Sequence, residues 1–122
     1  MKKNKLFDAE YRLADIIWSR EPINSTELVR ISQEELGWKK STTYTVLRKL
    51  CDKGIMLNNS ARVSSIVKKE DVLREEGKEI LRKGFADSLP KFLTAFLAER
   101  KLSPREAEEL KKIIEEAIDE QH

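Results

Sequence analysis

The sequence predicts a mainly α fold with one small β-hairpin, three helices ahead of the hairpin and three after it. Two observations carry this prediction. Apolar residues recur at helical spacing in six segments, several bracketed by recognisable start and stop signals. The period breaks between Gly54 and Lys68, where two short β-type runs flank a polar turn.

The first helix is expected to begin near Asp8 and to end at Arg20, ahead of Glu21 and Pro22. Leu6, Ala9, Leu13, Ile16 and Ile17 follow the spacing of one buried face, widened by Tyr11, Ala14 and Trp18. Asn24 followed by Glu27 has the form of a capping box, so a second helix should run from about Ser25 to Leu36, bury Leu28, Ile31 and Leu36, and stop at Gly37. After the connector Trp38-Lys39-Lys40, Ser41 or Thr42 can cap a third helix that continues to Lys53, with Gly54 beyond it. Its inward side is Val46, Leu47, Leu50 and Cys51; its outward side is Ser41, Thr42, Tyr44, Thr45, Arg48 and Lys49, with no acid before Asp52. An ordinary solvated helix face mixes Glu with Lys, whereas hydroxyls, an aromatic and two cations are groups that donate to phosphates and base edges.

Past Gly54, Ile55-Met56-Leu57 reads as a strand, Asn58-Asn59-Ser60-Ala61 as a turn and Arg62-Val63-Ser64-Ser65-Ile66-Val67 as the returning strand. Three short helices followed directly by a hairpin make a winged helix-turn-helix, in which the third helix enters the major groove of double-stranded DNA and the hairpin touches the flanking backbone. Ser41, Thr42, Lys49 and Arg62 are the expected phosphate contacts, and Tyr44, Thr45 and Arg48 the expected readers of base edges.

From Glu70 the helical pattern resumes, with Val72, Leu73, Ile80 and Leu81 on one side and Gly84 near its end. Leu89, Phe92, Leu93, Phe96 and Leu97 mark a fifth helix ending about Arg100. Ser103-Pro104-Arg105-Glu106 combines a capping Ser, Pro at the first helical position and Glu at the third, and starts a sixth helix with the stripe Ala107, Leu110, Ile113, Ile114, Ala117 and Ile118. Residues 1–69 are thus expected to form a DNA-binding domain and residues 70–122 a three-helix dimerisation domain. A second copy is the commonest cover for such a seam, which assigns Leu89, Phe92, Phe96, Leu110, Ile113, Ile114 and Ile118 to a homodimer interface. Packing onto the chain's own first domain is the alternative.

Composition narrows the function classes. With 39% hydrophobic and 38% charged residues the chain is apolar enough to fold, and no run approaches the roughly 20 apolar residues that cross a bilayer. A cytoplasmic location without membrane insertion is expected, because the basic start has no apolar segment behind it. One cysteine, Cys51, and one histidine, His122, leave no ligand set for a metal and no paired nucleophile and base, so no metal, cofactor or catalytic residue is expected. The net charge of +2 hides an asymmetry: residues 1–68 carry 13 Lys+Arg against 8 Asp+Glu, residues 69–122 carry 11 against 14. A basic first half suits a polyanion.

Ala9-Glu10-Tyr11 with Ile16-Ile17-Trp18, Thr26-Glu27-Leu28, Trp38, the run from Thr42 to Leu50 and Lys53-Gly54 form an ordered set over nearly the whole chain. That set resembles the BlaI/MecI/CopY penicillinase-repressor family of bacterial transcription regulators. The resemblance implies a homodimer that binds a dyad-symmetric operator and blocks a promoter, with interlocked C-terminal helices. It also implies release by cleavage in those helices after a membrane sensor-protease detects a β-lactam, or by metal capture in the copper branch. The cysteine-rich C-terminal motif of the copper branch is missing here, which excludes that branch. Where the cleaved branch has Asn-Phe this chain has Ala95-Phe96, so cleavage at that bond is not expected. The wing departs as well, with Ala61-Arg62 for Gly-Arg, Ile66 for an aromatic and no basic residue in its first strand, and Lys49 stands where Arg is usual.

Two other readings stay open. A winged helix can bind protein instead of DNA, against which the outward face of the third helix argues. A small enzyme is opposed by the lone terminal histidine and the lack of a glycine-rich phosphate loop.

Overall fold

Residues 5–118 are described by a computed structural model, and His122 lies outside them. The elements run α1 (Asp8–Arg20), β1 (Ile23–Asn24), α2 (Ser25–Leu36), α3 (Lys40–Asp52), β2 (Met56–Asn59), β3 (Arg62–Ser65), α4 (Lys69–Gly84), α5 (Leu89–Leu97) and α6 (Pro104–Ala117). This is a winged helix-turn-helix followed by further helices, in two compact units divided after Gly77. No helix among the described residues is long and apolar enough to cross a membrane.

Among the described residues, the first unit contains every buried apolar side chain. Leu13 and Ile17 of α1, Leu28 of α2, Leu50 of α3, Ile55, Val63 of β3 and Val72 at the start of α4 are all buried in one cluster. Helical periodicity explains which residues of α3 join it: Thr43, Val46, Leu47 and Leu50 share one side. On α1 the buried face differs from the expected one, since Ala9 is exposed and Glu10 is only 4% exposed. The buried carboxylate is tolerated because its Oε1 accepts from the Phe7 N–H at 2.9 Å and from the Lys53 ammonium. That ammonium also donates to the Lys5 carbonyl at 2.8 Å and lies 4.6 Å from the centroid of the Phe7 ring.

The sheet has the order β1-β3-β2, antiparallel throughout. A two-residue strand shows no alternation in sequence, so β1 was not among the expected elements; it exists because Ile23 pairs with Val63 and Asn24 with Arg62. The wing is also tighter than expected. Asn58 and Asn59 belong to β2, opposite Val63 and Arg62, and the turn is Ser60-Ala61 alone. Both turn residues have positive φ, 54° and 70°, as a two-residue hairpin turn matching the strand twist requires.

Three helix ends differ from the sequence reading. Asn24 caps α2 by accepting from the Thr26 N–H at 2.8 Å, but Glu27 pairs with Arg30, so the capping box does not close. The cap position of α3 is Lys39, which offers no side-chain bond, and Ser41 and Thr42 lie inside the first turn. α5 stops at Leu97, short of Arg100. In the second unit Ser88 accepts from the Lys91 N–H and Ser103 from the Glu106 N–H, both at 3.1 Å, which starts α5 and α6 as their sequences specify.

Glu21, just after α1, holds the base of the wing. Its carboxylate accepts from the Ser65 N–H at 2.6 Å and from the Ser65 hydroxyl at 2.8 Å, and the Lys68 ammonium stands 3.5 Å away. Burial pushes its pKa up, but the Ser65 bonds and the Lys68 charge outweigh burial and hold it below its ordinary value of 4.5. A lowered folded-state pKa means the contribution to stability is complete above the unfolded value and is lost as pH falls through the folded one. Thermal unfolding should therefore separate the protein from Glu21→Gln at pH 7, and the gap should close as pH falls below 4. A gap that stays constant down to pH 3 would show that the carboxylate charge contributes nothing.

Candidate nucleic-acid interface

α3 packs against α1, α2 and β2, so its remaining side is the one open to a ligand. Ser41, Thr45 and Arg48 succeed one another at spacings of four and three, flanked by Thr42 and Lys49, and all five are exposed. The outward placement expected of these five is what the structure shows. Tyr44 differs. It is half-buried against the core, with its hydroxyl directed at Ser25 Oγ of α2 at 3.5 Å. Its position follows from the helical angle: residue 44 falls on the flank of α3, between the exposed stripe and the buried one.

Arg62 opens β3 and is exposed, beside Asn59 across the hairpin and Asn24 on the other side. The wing's exposed surface is otherwise polar or apolar without charge, including Asn58, Asn59 and Leu57. Cys51, at the far end of α3, is half-buried; burial pushes its thiol pKa up, which keeps it protonated at neutral pH.

Ion pairing separates the cations from Arg12 to Arg74 into two groups, and Lys5, ahead of α1, also has no acidic partner among the described residues. Between Arg12 and Arg74, the side chains of Arg12, Arg20, Arg30, Lys53, Lys68, Lys69 and Arg74 each pair with an acid. Lys39, Lys40, Arg48, Lys49 and Arg62 have no acidic partner among the described residues. All five belong to α3, its approach or the wing. Lys39 and Lys40 are not among the expected contacts because they read as connector; the signal in the sequence is two adjacent cations with no acid after them until Asp52. At the start of a helix these cations oppose the macrodipole, and neither an acid in the first turn nor a side-chain cap compensates.

In the second unit no described residue from 78 to 118 is buried. Leu89, Phe96, Ile113, Ile114 and Ile118 are each more than half exposed, while Phe92 and Leu110 are half-buried. Phe92 stands edge-on to Phe85 at 5.3 Å and stacks on Phe96 at 5.6 Å. Arg100 lies 5.9 Å from the Phe96 ring and pairs with Glu106. The aromatic row thus organises α5 without covering it.

Comparison with known proteins agrees over almost the full length. Residues 6–116 match the family described as penicillinase repressor. The chain is 27% identical over 121 residues to the penicillinase repressor of Bacillus licheniformis, covering 95% of this chain and 94% of that one. It is 23% identical over 117 residues to the methicillin resistance regulatory protein MecI of Staphylococcus aureus (strain N315), covering 93% and 95%. It is 24% identical over 117 residues to the penicillinase repressor of Staphylococcus aureus, covering 93% of each.

Proposed function

The chain belongs to the penicillinase repressor family, whose members are transcriptional repressors and not enzymes, and from that premise we propose that it binds a dyad-symmetric operator as a homodimer and blocks a promoter of the β-lactam-resistance type. The observation that carries the reading is the set of unpaired cations, Lys39, Lys40, Arg48, Lys49 and Arg62, on α3, its approach and the wing. Each phosphate a cation neutralises releases condensed counterions, so unpaired cations gathered on these elements favour DNA in a way that paired cations do not.

In this reading Thr45 and Arg48 face base edges and thymine methyls, and Ser41, Thr42, Lys49 and Arg62 bind phosphates together with Lys39 and Lys40. The partner copy covers Leu89, Phe92, Phe96, Leu110, Ile113, Ile114 and Ile118. A membrane sensor-protease is not assigned the bond between Ala95 and Phe96 as its cut. The pair, within α5, lacks the Asn of the cleaved branch. Selection of duplexes from a random pool tests the reading. It should enrich a near-palindrome with half-sites about 10 or 20 base pairs apart; a pool that stays random overturns operator binding.

Lys40→Glu separates binding from folding. An acid at the first position of α3 complements the helix dipole where Lys40 opposes it, so stability should rise by about 0.5–1 kcal/mol. Affinity for the selected duplex should fall by about tenfold through the lost phosphate contact. Urea unfolding and a duplex titration on the same preparation read both effects, and a variant that is less stable than the parent would refute the electrostatic account of this helix start.

A further inference from the structure

We propose that Ser25 and Tyr44 are positioning residues that hold the wing in a fixed relation to α3, so that Arg62 reaches the DNA backbone when α3 enters the groove. The proposal rests on the operator-binding reading above. Ser25 is the first residue of α2 and only 5% exposed. Its N–H donates to the Ala61 carbonyl at 2.7 Å, which extends the ladder of Ile23 with Val63 and Asn24 with Arg62 into the wing turn itself. Its hydroxyl faces the Tyr44 hydroxyl of α3 at 3.5 Å. One buried residue therefore touches the wing through its backbone and the recognition helix through its side chain.

The path from α3 to the wing cation is short: Tyr44 to Ser25, Ser25 to Ala61, and Ala61 to Arg62 by a peptide bond. A hydroxyl pair at 3.5 Å is at the outer limit of hydrogen bonding and adds little to stability. Its location is what distinguishes it, because a wing joined only at its base by β2 could tilt about that base, whereas a wing turn bonded to α2, with α2 bonded to α3, has a defined angle to the groove. The half-buried setting of Tyr44 and the direction of its hydroxyl fit this role better than contact with a base edge.

The test is a double-mutant comparison in the full-length protein, using the duplex that the wild type selects from the random pool. Arg62→Ala in the wild-type background should weaken binding by about tenfold and reduce the salt dependence by about one ion. In the Ser25→Ala or Tyr44→Phe background, each of which keeps the surrounding packing and the Ser25 N–H bond to Ala61, the same Arg62→Ala change should cost about fivefold, because the wing cation is held less firmly. A uniform loss of stability would not produce this coupling. A full tenfold loss in all three backgrounds overturns the proposal and returns Tyr44 to the base-reading residues. Failure of any duplex to be selected overturns the operator-binding reading first, and this proposal with it.

Discussion

Phe96→Ser combined with Ile114→Ser is expected to convert the protein to monomers and to weaken binding to the selected duplex by about 100-fold or more. Both side chains are 54% exposed, on α5 and α6, in a unit with no buried residue among those described. Apolar surface is worth roughly 25 cal/mol per Å² when removed from water, so two large side chains left open on every copy are a strong drive toward a second copy. A dimer presents two α3 helices on one DNA molecule, and the second engagement is then intramolecular at an effective concentration near the millimolar range. Losing the dimer forfeits that gain while leaving α3 and the wing unchanged. Sedimentation at micromolar concentration checks the premise: the parent should sediment at twice the chain mass and the double variant at one. A monomeric parent would refute the homodimer.

Thr45→Ala and Arg48→Ala are each expected to cost about 1–3 kcal/mol on the selected duplex and little on scrambled DNA. Both are exposed on the open side of α3, the side that the operator-binding reading turns toward base edges. Lys49→Ala should behave differently, weakening both duplexes alike and lowering the salt dependence by about one ion, because a phosphate contact carries no sequence information. Titrations of the three variants against both duplexes at several salt concentrations distinguish the two patterns. If Thr45→Ala and Arg48→Ala bind both duplexes as the parent does, α3 is not the reading element and a protein-binding role for the winged helix takes its place.

Periodicity and punctuation by themselves determined the order of helices and hairpin. The bounds of α1 and α2, the Ser103 start of α6 and the exposure of Ser41, Thr42, Thr45, Arg48 and Lys49 were all legible, because each depends on residues within one turn or one hairpin of another. The lack of a bilayer-length apolar run was legible from the order of residues alone.

Only the tertiary structure decided features that depend on residues far apart in the chain. β1 exists through its pairing with β3, about forty residues away, and Glu10 is buried in place of Ala9 because Lys53 and the Phe7 N–H satisfy its carboxylate. Tyr44 turned from the open side toward Ser25, a contact between two helices that α3's own periodicity cannot reveal. The unpaired state of Lys39, Lys40, Arg48, Lys49 and Arg62 became visible only once every other cation between Arg12 and Arg74 had found its acid. Local sequence specifies which face a side chain occupies, since the helix and strand periods are fixed by backbone geometry. Which charges are neutralised, and which polar groups are left for a ligand, is settled by the partners that folding brings together.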